Sequence, residues 1–294
     1  MSFNSISRIS GKMSRKEKVK ETSVYTSIYI FLGFLILISV VPFILVMMNA
    51  TRTGNAIVSN PLSLFPGGAL RENWTLLMNR TNIVRGFFNS TFVSVTSTFL
   101  SGYFGALTAY GFFAYKFKGN KPLFVFIIIF LMVPPQLAFL GFYQFMANLG
   151  FVDTFIPLIV PMIANIGTIF FLRQYAEGVI PKVMLESARI DGAKEYYIFH
   201  KIGIPMLMPG IATMSIFTFI GSWNNYLMAR IMLNSPRLFT LPLQIANLRA
   251  GNLWVYNQGA IYLGLAVTIF PIVLFFIIFS RYLVDSIAAG SVKG

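Results

Sequence analysis

Pro181-Lys182-Val183-Met184-Leu185-Glu186-Ser187-Ala188-Arg189-Ile190-Asp191-Gly192-Ala193-Lys194-Glu195-Tyr196-Tyr197-Ile198-Phe199-His200-Lys201-Ile202-Gly203-Ile204-Pro205 is the most distinctive polar stretch of the chain. It reads as a helix, a tight turn and a second helix. Pro181 suits a first helical position, where a missing N–H costs nothing. Gly192 can take the left-handed conformation that ends the first helix, and Asp191 is placed to cap the second. Pro205 stops the second helix or redirects it into the next apolar interval. Both helices are amphipathic but too short to be stable alone, so packing must hold them.

Outward from this stretch the chain is nearly charge-free. Of its 294 residues 56% are apolar and 11% charged, with a mean hydropathy of +0.72. That is too little charge to cover a water-facing surface, which excludes an ordinary soluble enzyme, a disordered chain and a secreted disulfide module. Uncharged intervals separate Glu21 from Arg52, Arg85 from Lys116, Lys121 from Asp153, Asp153 from Arg173, Lys201 from Arg230 and Arg249 from Arg281. Each can supply the ~20 apolar residues that cross ~30 Å of hydrocarbon. The expectation is an all-α integral membrane protein with six transmembrane helices near residues 24–48, 86–115, 122–147, 155–172, 204–228 and 259–280. The uncharged stretch between Arg52 and Arg71 reads as loop, because Asn60-Pro61 and Pro66-Gly67-Gly68 punctuate it.

Lys and Arg set the sidedness. The tail at 1–23, the loop after the second interval, the loop after the fourth and the segment after the sixth carry sixteen of the 23 basic residues. These four segments share one side of the membrane, so both termini are expected in the cytoplasm. The domains divide accordingly: a basic cytoplasmic tail (1–23), a six-helix membrane domain (24–285) with a cytoplasmic loop at 173–203, and a cytoplasmic tail (286–294). The apolar run from Val24 is too long for a signal-peptide core and lacks a cleavage site, so it reads as a retained helix. The net charge of +14 is then basic loops facing anionic headgroups of membrane lipids, and nucleic acid is not an expected partner.

The missing chemistry narrows the function. There is no cysteine and one histidine; a lone His200 has no partner for a metal or a triad, so its expected role is structural or solvent-facing. No catalytic residue and no metal ligand set is visible. No G-x-x-x-x-G-K-[ST] occurs, so the chain binds no ATP by a P-loop of its own. No ionisable group lies inside the six intervals, which argues against a proton- or sodium-coupled carrier. A solute carrier working alone and a membrane enzyme remain the rival readings; energy supplied by a partner is the favoured one.

Glu186-x-Ala188-x-x-Asp191-Gly192-Ala193, followed by Phe199-x-x-Ile202-x-x-Pro205, resembles the EAA loop of permease subunits of binding-protein-dependent ABC importers; Ser187 stands where Ala is usual. Asn89-Ser90, Ala109-Tyr110-Gly111, Gly119, Pro134-Pro135, Leu149-Gly150, Asp153-Thr154, Gly221-Ser222-Trp223-Asn224-Asn225 and Thr240-Leu241-Pro242 are similar to the carbohydrate branch of that family. The ending Ala289-Gly290-Ser291-Val292-Lys293-Gly294 is similar to the tail of its MalG-type members, with Ser291 for the commoner Ala and Asp285-Ser286 for a commoner Lys-Gly.

The resemblance implies a MetI-like permease fold in the cell membrane. It also implies a second permease subunit in a heterodimer with this one, two cytoplasmic ATPase subunits, an extracytoplasmic sugar-binding protein and a carbohydrate substrate. ATP and Mg are used by the ATPase; this chain binds no cofactor. Glu186, Ser187, Ala188, Asp191, Gly192, Ala193, Phe199, Ile202 and Pro205 would couple to the ATPase, with Glu186 pairing a base on it. Ala289, Gly290, Val292, Lys293 and Gly294 would form a tail contact. Oligosaccharide sites combine aromatic faces with amide and hydroxyl groups, which makes Trp223, Asn224, Asn225, Asn165, Gln136 and Tyr143 the candidates for the substrate path.

Overall fold

The computed structural model describes residues 15–249 and 258–291, and within them every regular element is helical. In chain order these are α1 (Arg15–Ala50), α2 (Gly54–Ser59), α3 (Leu70–Arg80), α4 (Ile83–Ala114), α5 (Asn120–Leu131), α6 (Phe139–Asn148), α7 (Ile156–Ile159), α8 (Ile166–Val179), α9 (Lys182–Ile190), α10 (Glu195–Ile198), α11 (Ile204–Trp223), α12 (Tyr226–Met232), α13 (Leu241–Arg249) and α14 (Gln258–Ser291). Among the described residues four helical runs are long and apolar enough to cross a membrane: Val24–Ala50, Ile156–Val179, Glu195–Trp223 and Gln258–Ser280. A fifth crossing arises if the bent pair Asn120–Leu131 and Pro135–Asn148 counts as one span.

α4 is the hub. It packs against α8 and α11, while α11 and α1 pack against α14. Its 32 residues reach ~48 Å at 1.5 Å per residue. The face it buries is Ser90, Ser94, Ser97, Thr98 and Ser101, with Gly102, Gly105 and Ala106 continuing it. Small residues bring helix backbones together where lipid offers no hydrophobic drive. A methyl at Gly105 would meet Thr168 Cγ2 at 2.6 Å, so that contact belongs to glycine. Beside it the hydroxyls of Ser101 and Thr168 bond at 3.0 Å. Such interhelical bonds contribute only ~0.6 kcal/mol each on average; their number and the close packing hold the bundle.

The interval at 122–147 is not one straight helix. It breaks by 91° between α5 and α6, where Pro134 and Pro135 remove two N–H donors and start a short 3-10 turn over Pro135–Ala138. The stretch after Arg52, expected as loop, contains α2. Thr53 accepts from Ala56 N at its start. The buried Arg52 guanidinium donates to Ala56 O (2.8 Å) and Asn60 O (2.7 Å) at its end. The interval at 204–228 also breaks: α11 stops at Trp223, and Asn225 caps α12 by accepting from Met228 N at 3.3 Å.

Candidate functional site

The site begins at the C-terminal end of α4, where α9 and α10 form a hairpin. Gly192 sits at φ +78° between them. Its N–H donates to Arg189 O, and the next one, of Ala193, donates to Ala188 O, both at 3.0 Å, so α9 ends in a hydrogen-bonded left-handed cap. Leu185 of α9 and Ile198 of α10 are fully buried with Phe199 against Tyr110, Phe113, Leu172, Ala176 and Ile180. Ala188, Ala193 and Ile202 pack at the edge of this cluster. Burying a Leu or Ile side chain contributes roughly 1.5–3 kcal/mol, which helices of nine and four residues could not find in their own hydrogen bonds.

A polar triad fastens the same hairpin. Arg189 Nε donates to Glu195 Oε1 at 2.6 Å across the turn. The Tyr115 hydroxyl, just past α4, donates to Glu195 Oε2 at 2.5 Å. The Arg189 guanidinium lies 5.4 Å from the Tyr115 ring centre. Burial, and then the bond to the Glu195 carboxylate, push the Tyr115 phenol up to about 12. The same carboxylate holds the Arg189 guanidinium's pKa above its ordinary value. Opposite charges flanking a glycine turn were visible in the sequence; Tyr115, 80 residues away, gave no such signal.

The hairpin's outer face is apolar as well as polar. Ile190 is 86% exposed, Tyr196 73% and Val183 70%, beside the exposed Glu186, Ser187 and Asp191. Glu186 has no ion-pair partner among the described residues. Three expectations change. Asp191 does not cap the second helix; it closes α9, and Lys194 occupies the position before α10 without a side-chain bond. Pro181 precedes α9 instead of entering it. Pro205 does not stop the second helix; it is exposed at the start of α11, directly after a π turn. α10 therefore runs through a π turn over Phe199–Gly203 into α11.

The substrate-path candidates are not brought to one place. Asn165 and Asn225 share a cleft of about 250 Å³ with Leu158, Met162, Met214, Phe217, Thr218, Gly221 and Ser222. Its level is the middle of α4, since Ser97 donates to Leu158 O and Ser101 contacts Thr218. Each amide oxygen also caps a helix, Asn165 accepting from Thr168 N and Asn225 from Met228 N. Trp223 is 1% exposed, packed between Phe87 and Phe219, and does not line this cleft. Asn224 and Gln136 are exposed elsewhere, and Tyr143 packs on the cluster around Val93 and Met146. Ala289 and Gly290 lie on the last turns of α14, while Val292, Lys293 and Gly294 lie outside the described residues, as do residues 1–14 of the N-terminal tail.

At the other end of α4 a carboxylate ties two loops. Asp153, at φ +61°, accepts from Asn234 N (2.9 Å) and Ser235 N (2.8 Å) and from the Ser235 hydroxyl. The Ser235 hydroxyl, ahead of the backbone N–H groups, holds this carboxyl below its ordinary value. Asn89 donates to Arg237 O and Phe239 O, both at 3.0 Å, and Ser90 accepts from Leu241 N at 2.8 Å. Asn89, Ser90 and Asp153 are thus fasteners of the loop between α12 and α13, whereas Thr154 bonds within its own segment, donating to Phe151 O.

Several long apolar helices around a hydroxyl-lined centre, with a rigid hairpin at one end, define a multi-pass protein of the cell membrane. The chain belongs to the binding-protein-dependent transport system inner membrane component family, whose model matches residues 101–288. It is 34% identical over 282 residues to the arabinooligosaccharides transport system permease protein AraQ of Halalkalibacterium halodurans, covering 94% of this chain and 99% of that one. It is 32% identical to AraQ of Bacillus subtilis (92% and 97% covered) and 29% identical to the lactose transport system permease protein LacG of Rhizobium radiobacter (90% and 95%). The fold matches a bacterial ABC transporter involved in the import of the acidic polysaccharide alginate, with a TM-score of 0.74 at 21% identity over 92% of this chain and 98% of that one.

Proposed function

We propose that this chain is a permease subunit of an ATP-driven importer that moves a carbohydrate, an oligosaccharide being the best fit, delivered by an extracytoplasmic binding protein. The observation that carries the reading is the hairpin. A surface as apolar as Ile190, Tyr196 and Val183, mounted on helices pinned from behind by Leu185 and Ile198, suits a protein partner that must be pushed and pulled without bending its lever. That partner is a pair of ATPase subunits, which bind the ATP and Mg; Glu186 offers a carboxylate to a base on them. The chain itself catalyses no reaction.

In this reading the crossings number six: α1, α4, the broken pair α5–α6, α7–α8, α11 and α14, with both termini and the hairpin in the cytoplasm. A second permease subunit faces this one. The amide and hydroxyl cleft of Asn165, Asn225, Thr218 and Ser222 forms part of the wall along which a neutral sugar passes. The names of the relatives AraQ and LacG, which speak of arabinooligosaccharides and lactose, support a sugar cargo.

Reconstitution with the ATPase, the second permease and the binding protein tests this. ATP-dependent uptake of an oligosaccharide is expected, and ATP-independent uptake by this chain alone would overturn it. A cheaper probe is Gly221→Phe. Gly221 lines the cleft, and a Cβ there meets nothing within 4 Å, so the new side chain starts from open space. Uptake should fall at least about tenfold, the cost of displacing a sugar contact, while ATPase co-purification stays at the wild-type level.

A further inference from the structure

The hairpin is joined to the membrane helices at its root as well as at its turn. His200 lies in the π turn between α10 and α11, a rare geometry found mostly where a helix must adjust. Its Nδ1 is 2.8 Å from Tyr196 O, and a carbonyl can only accept, so Nδ1 carries the proton. In the neutral ring Nε2 is then an acceptor, and the Tyr103 hydroxyl of α4 donates to it at 3.2 Å. Three rings hold the imidazole in place: Tyr196 lies 4.0 Å away, Phe199 4.9 Å and Tyr103 6.0 Å, centre to centre.

Position gives this bond its leverage. Just beyond it α4 and α11 meet closely, a Cβ on Gly102 falling 3.2 Å from Ile211 Cγ2, and an apolar groove of about 420 Å³ opens between them and Phe275 and Phe279 of α14. Tyr103 lines that groove, so its hydroxyl joins α4 to the root of the hairpin at the groove's edge. Tyr115 makes the other polar tether from the α4 side, 12 residues on and therefore ~18 Å along the axis. Between them Leu185, Ile198 and Phe199 pack on Tyr110 and Phe113 of α4, and the Tyr103 bond fixes the root of the hairpin against that cluster, with the π turn absorbing the change in helix pitch.

We infer that the Tyr103–His200 hydrogen bond sets how movement of the hairpin is passed to α4, and that both are positioning residues for coupling. This rests on the reading of the hairpin as the ATPase contact. The test uses the complete reconstituted transporter with Tyr103→Phe, His200→Leu and His200→Gln, measuring sugar molecules imported per ATP hydrolysed alongside ATPase co-purification. Tyr103→Phe and His200→Leu should each lower the ratio about fivefold, the factor for one neutral hydrogen bond, with the ATPase still bound. His200→Gln, whose amide oxygen can accept from Tyr103, should restore at least half of it. A ratio within about 1.5-fold of wild type in Tyr103→Phe and His200→Leu, a range too small for a lost bond, would overturn the inference. Failure of the ATPase to bind the unaltered complex would instead remove the coupling reading, and this inference with it.

Discussion

Two carboxylates hold two loops at opposite ends of α4, and they do it differently. Glu195 bonds to side chains, Arg189 and Tyr115, one of them charged and both with further contacts of their own. Asp153 bonds to two backbone N–H groups and one hydroxyl, all supplied by consecutive residues of a single loop. Removing Glu195's partners singly leaves others in place, whereas removing Asp153 strands two N–H donors together. The hairpin end is therefore built with redundancy and an exposed apolar face, as the proposed coupling to an ATPase requires of a body that must move whole. The Asp153 end is built as a clasp, which holds a loop in one shape.

The largest expected effect comes from the turn that makes the hairpin one body. Gly192→Val places a β-branched residue at φ +78°, a conformation that costs an L-residue roughly 1–2 kcal/mol and a β-branched one more. A Cβ there meets nothing within 4 Å, so the penalty is mainly conformational and relaxes by re-angling α9 against α10. Membrane insertion should persist while ATP-dependent uptake falls by about tenfold or more, a factor matching that strain. Gly192→Asn, which tolerates the left-handed region, should stay within about twofold of wild type. Normal uptake in the valine variant would mean that the hairpin need not be rigid.

Next in size is the clasp. Asp153→Ala removes every acceptor and puts a residue without a local hydrogen bond at φ +61°. Asp153→Asn keeps an amide oxygen and tolerates that backbone. The detergent-solubilised protein should melt about 3 °C lower for Ala, with Asn between Ala and wild type. Since the folded-state carboxyl lies below its ordinary 3.8, its stabilisation is present above that value and drains away as pH falls through the lower, folded-state pKa. Wild type should lose melting temperature on acidification faster than Asp153→Asn, and parallel curves would show that the clasp does not depend on its charge.

How much of this could be read from the chain depends on separation and on uniqueness. Gly192 was legible because only glycine routinely takes a left-handed cap in that pattern. Arg189 and Glu195 were half legible, as opposite charges on either side of it. Asp153 was not legible as a fastener: its acceptors meet N–H groups 81 and 82 residues away, and any residue but proline offers an N–H. The proline signals gave mixed results. Pro134-Pro135 breaks a helix that charge alone would have drawn straight, whereas Pro205 does not end its helical run, which passes through the π turn over Phe199–Gly203 just ahead of it. Trp223 fitted a sugar platform by residue type, yet its ring fills the core beside Phe219, which itself stacks on Phe275 at 4.0 Å. Composition cannot tell an aromatic that faces a path from one that packs.

The smallest expected effect is Tyr115→Phe, and it is the sharpest test of redundancy. The variant loses the hydroxyl that donates to Glu195 but keeps a ring for the Arg189 guanidinium, and the Arg189–Glu195 bond at 2.6 Å does not involve it. A hydrogen bond to a charged group is worth up to ~3 kcal/mol, but a third or more of Tyr115 is in solvent, and exposed charge pairs rarely deliver more than ~1 kcal/mol. Uptake should therefore fall less than about twofold and the melting temperature by less than about 2 °C. The phenol's pKa is raised from its ordinary 10.0 to about 12. Its stabilisation is therefore intact below the ordinary value and is lost as pH rises through the raised one. The two proteins should respond alike to pH from about 6 to 9, the range over which the hydroxyl stays protonated. A loss as large as that of Asp153→Ala would mean that Glu195 depends on this one donor, and that the hairpin end is a clasp too.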